Sequence, residues 1–443
     1  MLKILRRLTE SPSSLSRIVT NSGWLFLDRA IRMGLGVVLG IWIARYLGPE
    51  RYGSLNFVLA LVALVGSIGS LGMDSIIVRD LLASEADREE ILGSSFGLQL
   101  IAGFVSYATA IILIAFLRPH STEMMLMTWI LGFSLAIRAW SVVKYWFESQ
   151  IYSKHIVILE NSIFLIFAIV KILTMIFDLG MVVLVWTMFL ENIATTVGYF
   201  FLYKANHGRL SIWSGRWYRI RSILKDCWPL FLSNMAVLLY MRTDQLMIGQ
   251  MIDDKAVGIY SSAVKISEVW YFIPMILVSS VYPSIIRSRE TDQEEYKDKL
   301  KFLHTILLYI SLSIAVLLSF VSNHLMEFVY GGSFAAAGPI LSVHIWSGVF
   351  VFWGIASSRW FVLENLQRFQ LYQTATGCAA NLALNYFLIP RAGIMGAAVS
   401  TLISQGIAST FLNLLHKDSR FAFRMQMESF LFWRNRTWRA LLR

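Results

Sequence analysis

Cysteine is nearly absent from this sequence: Cys227 and Cys378 are the only two in 443 residues. Both sit in or beside apolar segments, so neither a disulfide framework nor a thiolate metal site is expected. The seven histidines are scattered without ligand spacing, which removes the common imidazole metal sites as well. Charge is scarce too. Charged residues make up 15% of the chain, against about 25% in soluble proteins, while 56% is hydrophobic. That balance excludes an ordinary soluble domain and points to an all-α polytopic membrane protein. No Walker lysine motif, Gly-rich nucleotide loop or nucleophile elbow is present, so neither a nucleotide-driven pump nor a hydrolase is expected. No enzyme activity is expected, and energy must come from an ion gradient, the membrane potential or downstream consumption of product. Residues 1–21 are polar and basic, with no small-residue cleavage site after a short apolar run, so the first span is expected to stay in place.

What the sequence does have is long apolar runs. Twelve stretches of about 20 residues or more, each long enough to cross a bilayer core, fall near 22–46, 55–78, 91–117, 123–147, 155–177, 180–203, 224–251, 256–286, 301–329, 336–363, 370–390 and 393–416. The net charge of +11 does not signal nucleic acid, because most Lys and Arg fall in alternate connections. With the N-terminus in the cytoplasm, Lys3, Arg6, Arg7, Arg17, Arg79, Arg88, Lys144 and Lys154 lie inside, as do the basic stretches 204–225, 287–301 and 417–443. The opposite side receives Arg45, Arg51, Arg118, Lys255 and Arg391, so both termini are expected in the cytoplasm. The outer connections are too short for a soluble domain. The tail mixes Phe421, Phe423, Phe430, Trp433 and Trp438 with arginines, and reads either as an interfacial helix on anionic headgroups or as a basic tail that sets orientation.

A weak internal repeat divides the chain. WLF at 24–26 heads the first span and WPLF at 228–231 the seventh; each span then passes an arginine, Arg32 or Arg242. Each ends in a short polar stretch closing on glycine, LGPERYG at 47–53 and IDDKAVG at 252–258. Six helices separate the copies, so they run parallel, which implies two lobes with the pathway between them. The expected organisation is a cytoplasmic segment 1–21, an N-lobe 22–203, an inter-lobe loop 204–223, a C-lobe 224–416 and a basic amphipathic tail 417–443.

Charges inside the spans carry the functional expectation. An arginine near the middle of a membrane helix costs at least about 2.5–3.5 kcal/mol on insertion scales, so it faces protein, water or an anion. The basic residues so placed are Arg29, Arg32, Arg138, Lys171, Arg242, Lys265 and Arg359, with Asp28, Glu160, Glu191, Asp244 and Glu268 as acidic neighbours. Two readings stand side by side. The charges pair off structurally, as Asp28 with Arg32 at i,i+4, or the excess of cations lines a wet cavity and binds an anion. Arginine forks suit bidentate contact with phosphate, and lysine acts as a point charge. Arg32, Arg242 and Lys265 are the first candidates, then Arg29, with Arg138 and Arg359 nearer the cytoplasmic ends. Gly66, Ser67, Gly69, Ser70 and Gly72 in the second span allow close helix approach or a hinge. Trp270 and Tyr271, deep in the eighth span, are candidates for stacking on a sugar.

Several runs together resemble one family: ARYLGPERYG at 44–53, RTDQLMIGQ at 242–250, VGIYSSAVKISE at 257–268, YGGSF at 330–334 with AGPIL at 337–341, and NLALNYFLIP at 381–390 followed by GIMGAA at 393–398. The chain looks like the bacterial polysaccharide flippases, the Wzx-type O-antigen translocases of the multidrug/oligosaccharidyl-lipid/polysaccharide superfamily. The resemblance implies about twelve transmembrane helices in two six-helix lobes forming a V around a central cationic cavity, with alternating access. It implies an undecaprenyl-diphosphate-linked oligosaccharide as substrate, with membrane lipids around the protein in a bacterial inner membrane. A polysaccharide polymerase and a chain-length regulator are candidate partners. Family arginines on the first helix map onto Arg29 and Arg32, with Asp28 beside them; the basic residue early in the second lobe maps onto Arg242 or Lys265. Lipid II flippases carry fourteen helices, and twelve spans here set lipid II apart as a substrate. No resident cofactor is expected; H+ or Na+ coupling would use Glu191, Asp244 or Glu268. A drug exporter of the same superfamily is the alternative, but it would favour acidic cavity residues. A membrane-embedded glycan polymerase is disfavoured by the short outer connections.

Overall fold

A computed structural model describes residues 12–84, 87–150, 152–206 and 212–431, with side chains from Arg32 onward. Among these the regular structure is helical, and no strand occurs. The helices are α1 (Pro12–Ser70), α2 (Asp74–Ala83), α3 (Arg88–Leu117), α4 (Thr122–Ile137), α5 (Ser141–Ser149), α6 (Ser153–Ile176), α7 (Gly180–Ala205), α8 (Trp217–Met251), α9 (Asp254–Val269), α10 (Phe272–Thr291), α11 (Gln293–Tyr330), α12 (Ala337–His344), α13 (Ser347–Leu363), α14 (Gln367–Ser409) and α15 (Arg420–Glu428). Short 3₁₀ turns join some of them, among them Arg138–Trp140 between α4 and α5.

Among the described residues, ten helical stretches are long and apolar enough to cross a membrane. Two of them, Arg32–Ala83 and Gln367–Leu414, run to 52 and 48 residues, and each contains a helix interrupted at a glycine, Gly48 or Gly393. Counting both sides of each break adds two crossings to the ten and recovers the twelve apolar runs. The breaks have a local cause. Gly48 (φ 71°, ψ 170°) and Gly393 (φ 59°, ψ −142°) occupy backbone conformations closed to most L-residues, and Pro49 follows Gly48 with no N–H to leave unpaired. LGPERYG is therefore not a polar turn, as composition suggests, but a one-residue kink inside α1. IDDKAVG is a true helix break: Asp253 caps α9 by accepting from the Ala256 N–H at 2.7 Å.

The chain divides into two compact units. The first holds Met1–Tyr46 and Val58–Leu238, the second Leu47–Phe57 and Leu239–Arg443. In the first, small residues let helices touch along their backbones. A Cβ on Gly103 of α3 would stand 2.4 Å from the Leu135 carbonyl oxygen of α4, and one on Gly69 of α1 would stand 3.6 Å from the Gly103 Cα. The small residues of the second span thus serve close packing. The stretch leading into α8 is fastened to the same unit. The Trp213 indole donates to the Tyr203 hydroxyl at 2.9 Å, and Arg219 pairs with Asp87 at 2.8 Å and Glu90 at 3.2 Å.

The second unit has its own apolar core from α10, α11, α13 and α15, around Val278, Leu300, Leu307, Phe352 and Trp360. Trp270 and Tyr271, both partly buried, pack against that core, with the Trp270 indole N–H buried. Helix α15, the start of the tail, packs one face on the second unit: Ala422 and Met425 enter the core, Glu428 pairs with Lys301 at 2.8 Å, and the Gln426 amide donates to the Ser409 carbonyl. Trp433, Trp438 and the last arginines lie outside the described residues, as do the side chains of WLF at 24–26.

Candidate functional site

Each unit encloses charged groups that sequence reading places within spans. In the first, three helices converge on Glu160 of α6, which is nearly buried. The Arg32 guanidinium donates to Oε2 at 2.9 Å, the Lys144 ammonium to Oε1 at 3.1 Å, and the Tyr199 hydroxyl to Oε1 as well. Lys144 is thus not a loop residue but part of α5, and it shares a carboxylate with Arg32. The Arg32 guanidinium also lies over the Phe164 ring. The side chains of Arg29 and Asp28 fall outside the described residues, so their proposed part with Arg32 has no structural counterpart here. Arg138 stands exposed on the turn after α4, apart from the Glu160 contacts. Glu191, a coupling candidate from sequence, is paired with Lys171 at 2.5 Å.

In the second unit, α9 is the polar hub. Arg242 on α8 faces Glu268 at 4.0 Å, the outer limit of an ion pair. Lys265 donates to the Tyr52 hydroxyl at 3.1 Å, with its ammonium 5.4 Å from the centre of the same ring. Arg359 on α13 lies over the Tyr282 ring at 5.7 Å. Among the described residues, no carboxylate lies within ion-pair distance of Lys265 or Arg359, and both contact a tyrosine, although Glu268, three residues along α9, attracts the Lys265 charge.

Asp244, buried on α8, is the inverse case: a carboxylate among neutral donors. Tyr260 and Thr401 hydroxyls reach Oδ2, each at 2.5 Å, and the Asn385 amide reaches Oδ1 at 2.6 Å. Asn385 also donates to the Asn381 carbonyl oxygen, while its own Oδ1 is buried without a partner. A carboxylate, amide oxygens and a hydroxyl fit a hard monovalent cation or a proton far better than a transition metal. No group of three or more His, Cys, Asp or Glu suited to a metal occurs among the described residues.

Sequence reading misses Lys144, Tyr199, Tyr52, Tyr260 and the amide pair. One signal was present: Asn381 and Asn385 lie four apart within an apolar run, which puts two amides on one helix face where polar groups need partners. The hydroxyl partners carry no such signal, because tyrosines abound at span ends for unrelated reasons.

The family model of the polysaccharide biosynthesis proteins matches residues 42–339, two thirds of the chain. The chain belongs to that family, and the expected kinship with polysaccharide flippases holds. A curated relative, the probable flippase AglR of Haloferax volcanii, is 27% identical over 198 residues, covering 40% of this chain and 38% of that protein. The chain thus spans about two fifths of that relative's length. Among solved structures, the lipid II flippase MurJ in an inward closed conformation matches with a TM-score of 0.70 at 15% identity, over 94% of this chain and 91% of that one. A multidrug resistance MATE family transporter of the MOP superfamily, inward-facing, matches with a TM-score of 0.64 at 14% identity, over 90% and 94%. At those identities the likeness is one of fold: the helical architecture of these transporters. The chain is thus a member of the polysaccharide biosynthesis protein family with the all-helical fold of these membrane transporters.

Proposed function

We propose that this protein translocates polyprenyl-diphosphate-linked oligosaccharide repeat units, O-antigen or a similar polysaccharide, across a bacterial cytoplasmic membrane by alternating access. The headgroup is strongly hydrated, and bare transfer through hydrocarbon is prohibitive. Fixed cations replace part of its hydration while the polyprenyl tail stays in lipid. Arg242 and Lys265 in the second unit and Arg29 and Arg32 in the first are the proposed diphosphate ligands, with Arg138 and Arg359 receiving it at the cytoplasmic side.

Lys265 and Arg359 carry this reading: each contacts a tyrosine, and among the described residues neither has a carboxylate within ion-pair distance. A multidrug exporter, which shares the fold, would need unpaired acidic groups for cationic drugs. Here Glu160, Glu191 and Glu268 each have a cation beside them. Transport measured on proteoliposomes loaded with a polyprenyl-diphosphate oligosaccharide tests the choice, with a lectin reporting exposure on the far leaflet. Movement of the lipid-linked glycan is expected, with no accumulation of a cationic dye. The reverse outcome would establish the exporter instead.

Coupling to H+ or Na+ is assigned to Asp244, with Glu268 left to balance Arg242. A proton or a sodium ion would complete the charge of a buried carboxylate that has only neutral donors. A polymerase and a chain-length regulator are the natural partners of such a flippase, with both termini of the chain on the cytoplasmic side.

A further inference from the structure

The segment around Tyr52 belongs by its contacts to the second unit, although the chain on either side of it belongs to the first. What seats it is a crossing of two glycines. A Cβ on Gly53 would fall 1.6 Å from the Asp254 carbonyl oxygen, and one on Gly258 would fall 1.9 Å from that of Pro49. The backbones touch, so neither position admits a side chain. Ser54 adds a hydrogen bond to the Asp254 carboxylate at 3.2 Å. Tyr52 is consequently 1% exposed, with its ring edge-on to Phe334 at 6.0 Å. A phenol held on that many sides cannot swing away from its partner, and that partner is the Lys265 ammonium.

A lysine in a wet cavity carries about 2 kcal/mol of rotamer entropy, lost when it is fixed on a ligand. A carboxylate would fix it in advance but cancel its charge. A tyrosine does the first without the second: its neutral oxygen takes one of three ammonium protons. We infer that Tyr52 is a positioning residue that holds the Lys265 ammonium in place for an anionic diphosphate. This rests on the proposed reading of Lys265 as a diphosphate ligand, and it adds a residue which that reading does not contain.

The experiment is a double-mutant cycle on the purified full-length chain, with farnesyl diphosphate as probe and calorimetric or thermophoretic detection. Lys265→Ala should weaken binding about tenfold, and Tyr52→Phe, which keeps the ring and removes the hydroxyl, about threefold to tenfold. In the Lys265→Ala background, Tyr52→Phe should have no further effect, because it acts only through the ammonium. In a Lys265→Arg background its effect should shrink, since the guanidinium fork is already rigid. Farnesol, lacking the diphosphate, should bind all six proteins alike. If Lys265→Ala binds like the wild type, the ligand role of Lys265 fails and this inference falls with it. If Lys265→Ala weakens binding but Tyr52→Phe is silent, or weakens binding equally in both backgrounds, Lys265 stands and the role of Tyr52 is overturned. Melting temperatures of the Phe variant within a degree or two of wild type exclude a folding defect as the cause.

Discussion

Arg32 and Glu160 show how unequal the two ends of one contact are. Removing the arginine leaves Glu160 with the Lys144 ammonium and the Tyr199 hydroxyl, so its buried charge remains compensated. Arg32→Ala should therefore reach normal abundance in the membrane and still abolish surface glycan, read by immunoblot of the protein beside staining of the glycan. Arg242→Ala should give the same pair of results, and Lys265→Arg should retain part of the glycan. Normal glycan in both alanine variants would end their assignment as ligands. Removing the carboxylate is different, because Glu160→Ala strands three donors on three helices at once. A loss of about 1–3 kcal/mol is expected, chiefly the cost of leaving the buried Tyr199 hydroxyl without its acceptor, seen as a lower melting temperature in detergent. Sequence shows Glu160 as a charge in an apolar run. It does not show that Arg32, 128 residues away, and Tyr199, 39 residues away, meet on it, since nothing local encodes which helix faces converge. The same holds for Tyr52 and Lys265, 213 residues apart.

Helices, by contrast, are almost fully legible, because a bilayer leaves the backbone few alternatives and apolar length marks each crossing. What sequence misplaces is the manner of their breaking. At 47–53 the Gly-Pro pair, the charges and the closing glycine all suggest a loop, yet the helix resumes one residue after Gly48. At Gly393 the break follows Pro390 by three residues and is equally abrupt. Both glycines hold backbone angles that cost other residues about 1–3 kcal/mol, so Gly48→Ala and Gly393→Ala should each lower stability by that amount. Open space surrounds both Cβ positions, which makes backbone strain the sole expected cause. Gly53→Ala should fail for another reason, a direct collision with the Asp254 carbonyl. A Gly48→Asn variant should lose as much as Gly48→Ala in melting temperature, because φ 71°, ψ 170° lies outside the αL region that asparagine tolerates.

At the scale of the whole chain, two units each bury charge in their interior, and the second buries a carboxylate, Asp244, whose hydrogen-bond donors among the described residues are all neutral. Burying Asp244 ionised is expensive, and three hydrogen bonds from neutral groups offset only part of that cost. A cation arriving there would stabilise the folded protein by an amount set only by its concentration and affinity, about 2.7 kcal/mol at a hundredfold excess over Kd. The wild-type melting temperature should therefore climb with added Na+ at constant ionic strength, and K+ should serve as the control for general salt effects. Asp244→Asn, neutral and nearly isosteric, should melt at the same temperature whatever the Na+ concentration. It should also move lipid-linked glycan at a rate that no longer responds to a sodium gradient. If the wild type is indifferent to Na+ but its stability and transport follow pH, and Asp244→Asn abolishes that dependence, the coupling ion is the proton at the same carboxylate. Sensitivity to either ion that survives in the asparagine variant would remove Asp244 from the coupling role and send the search back to Glu268.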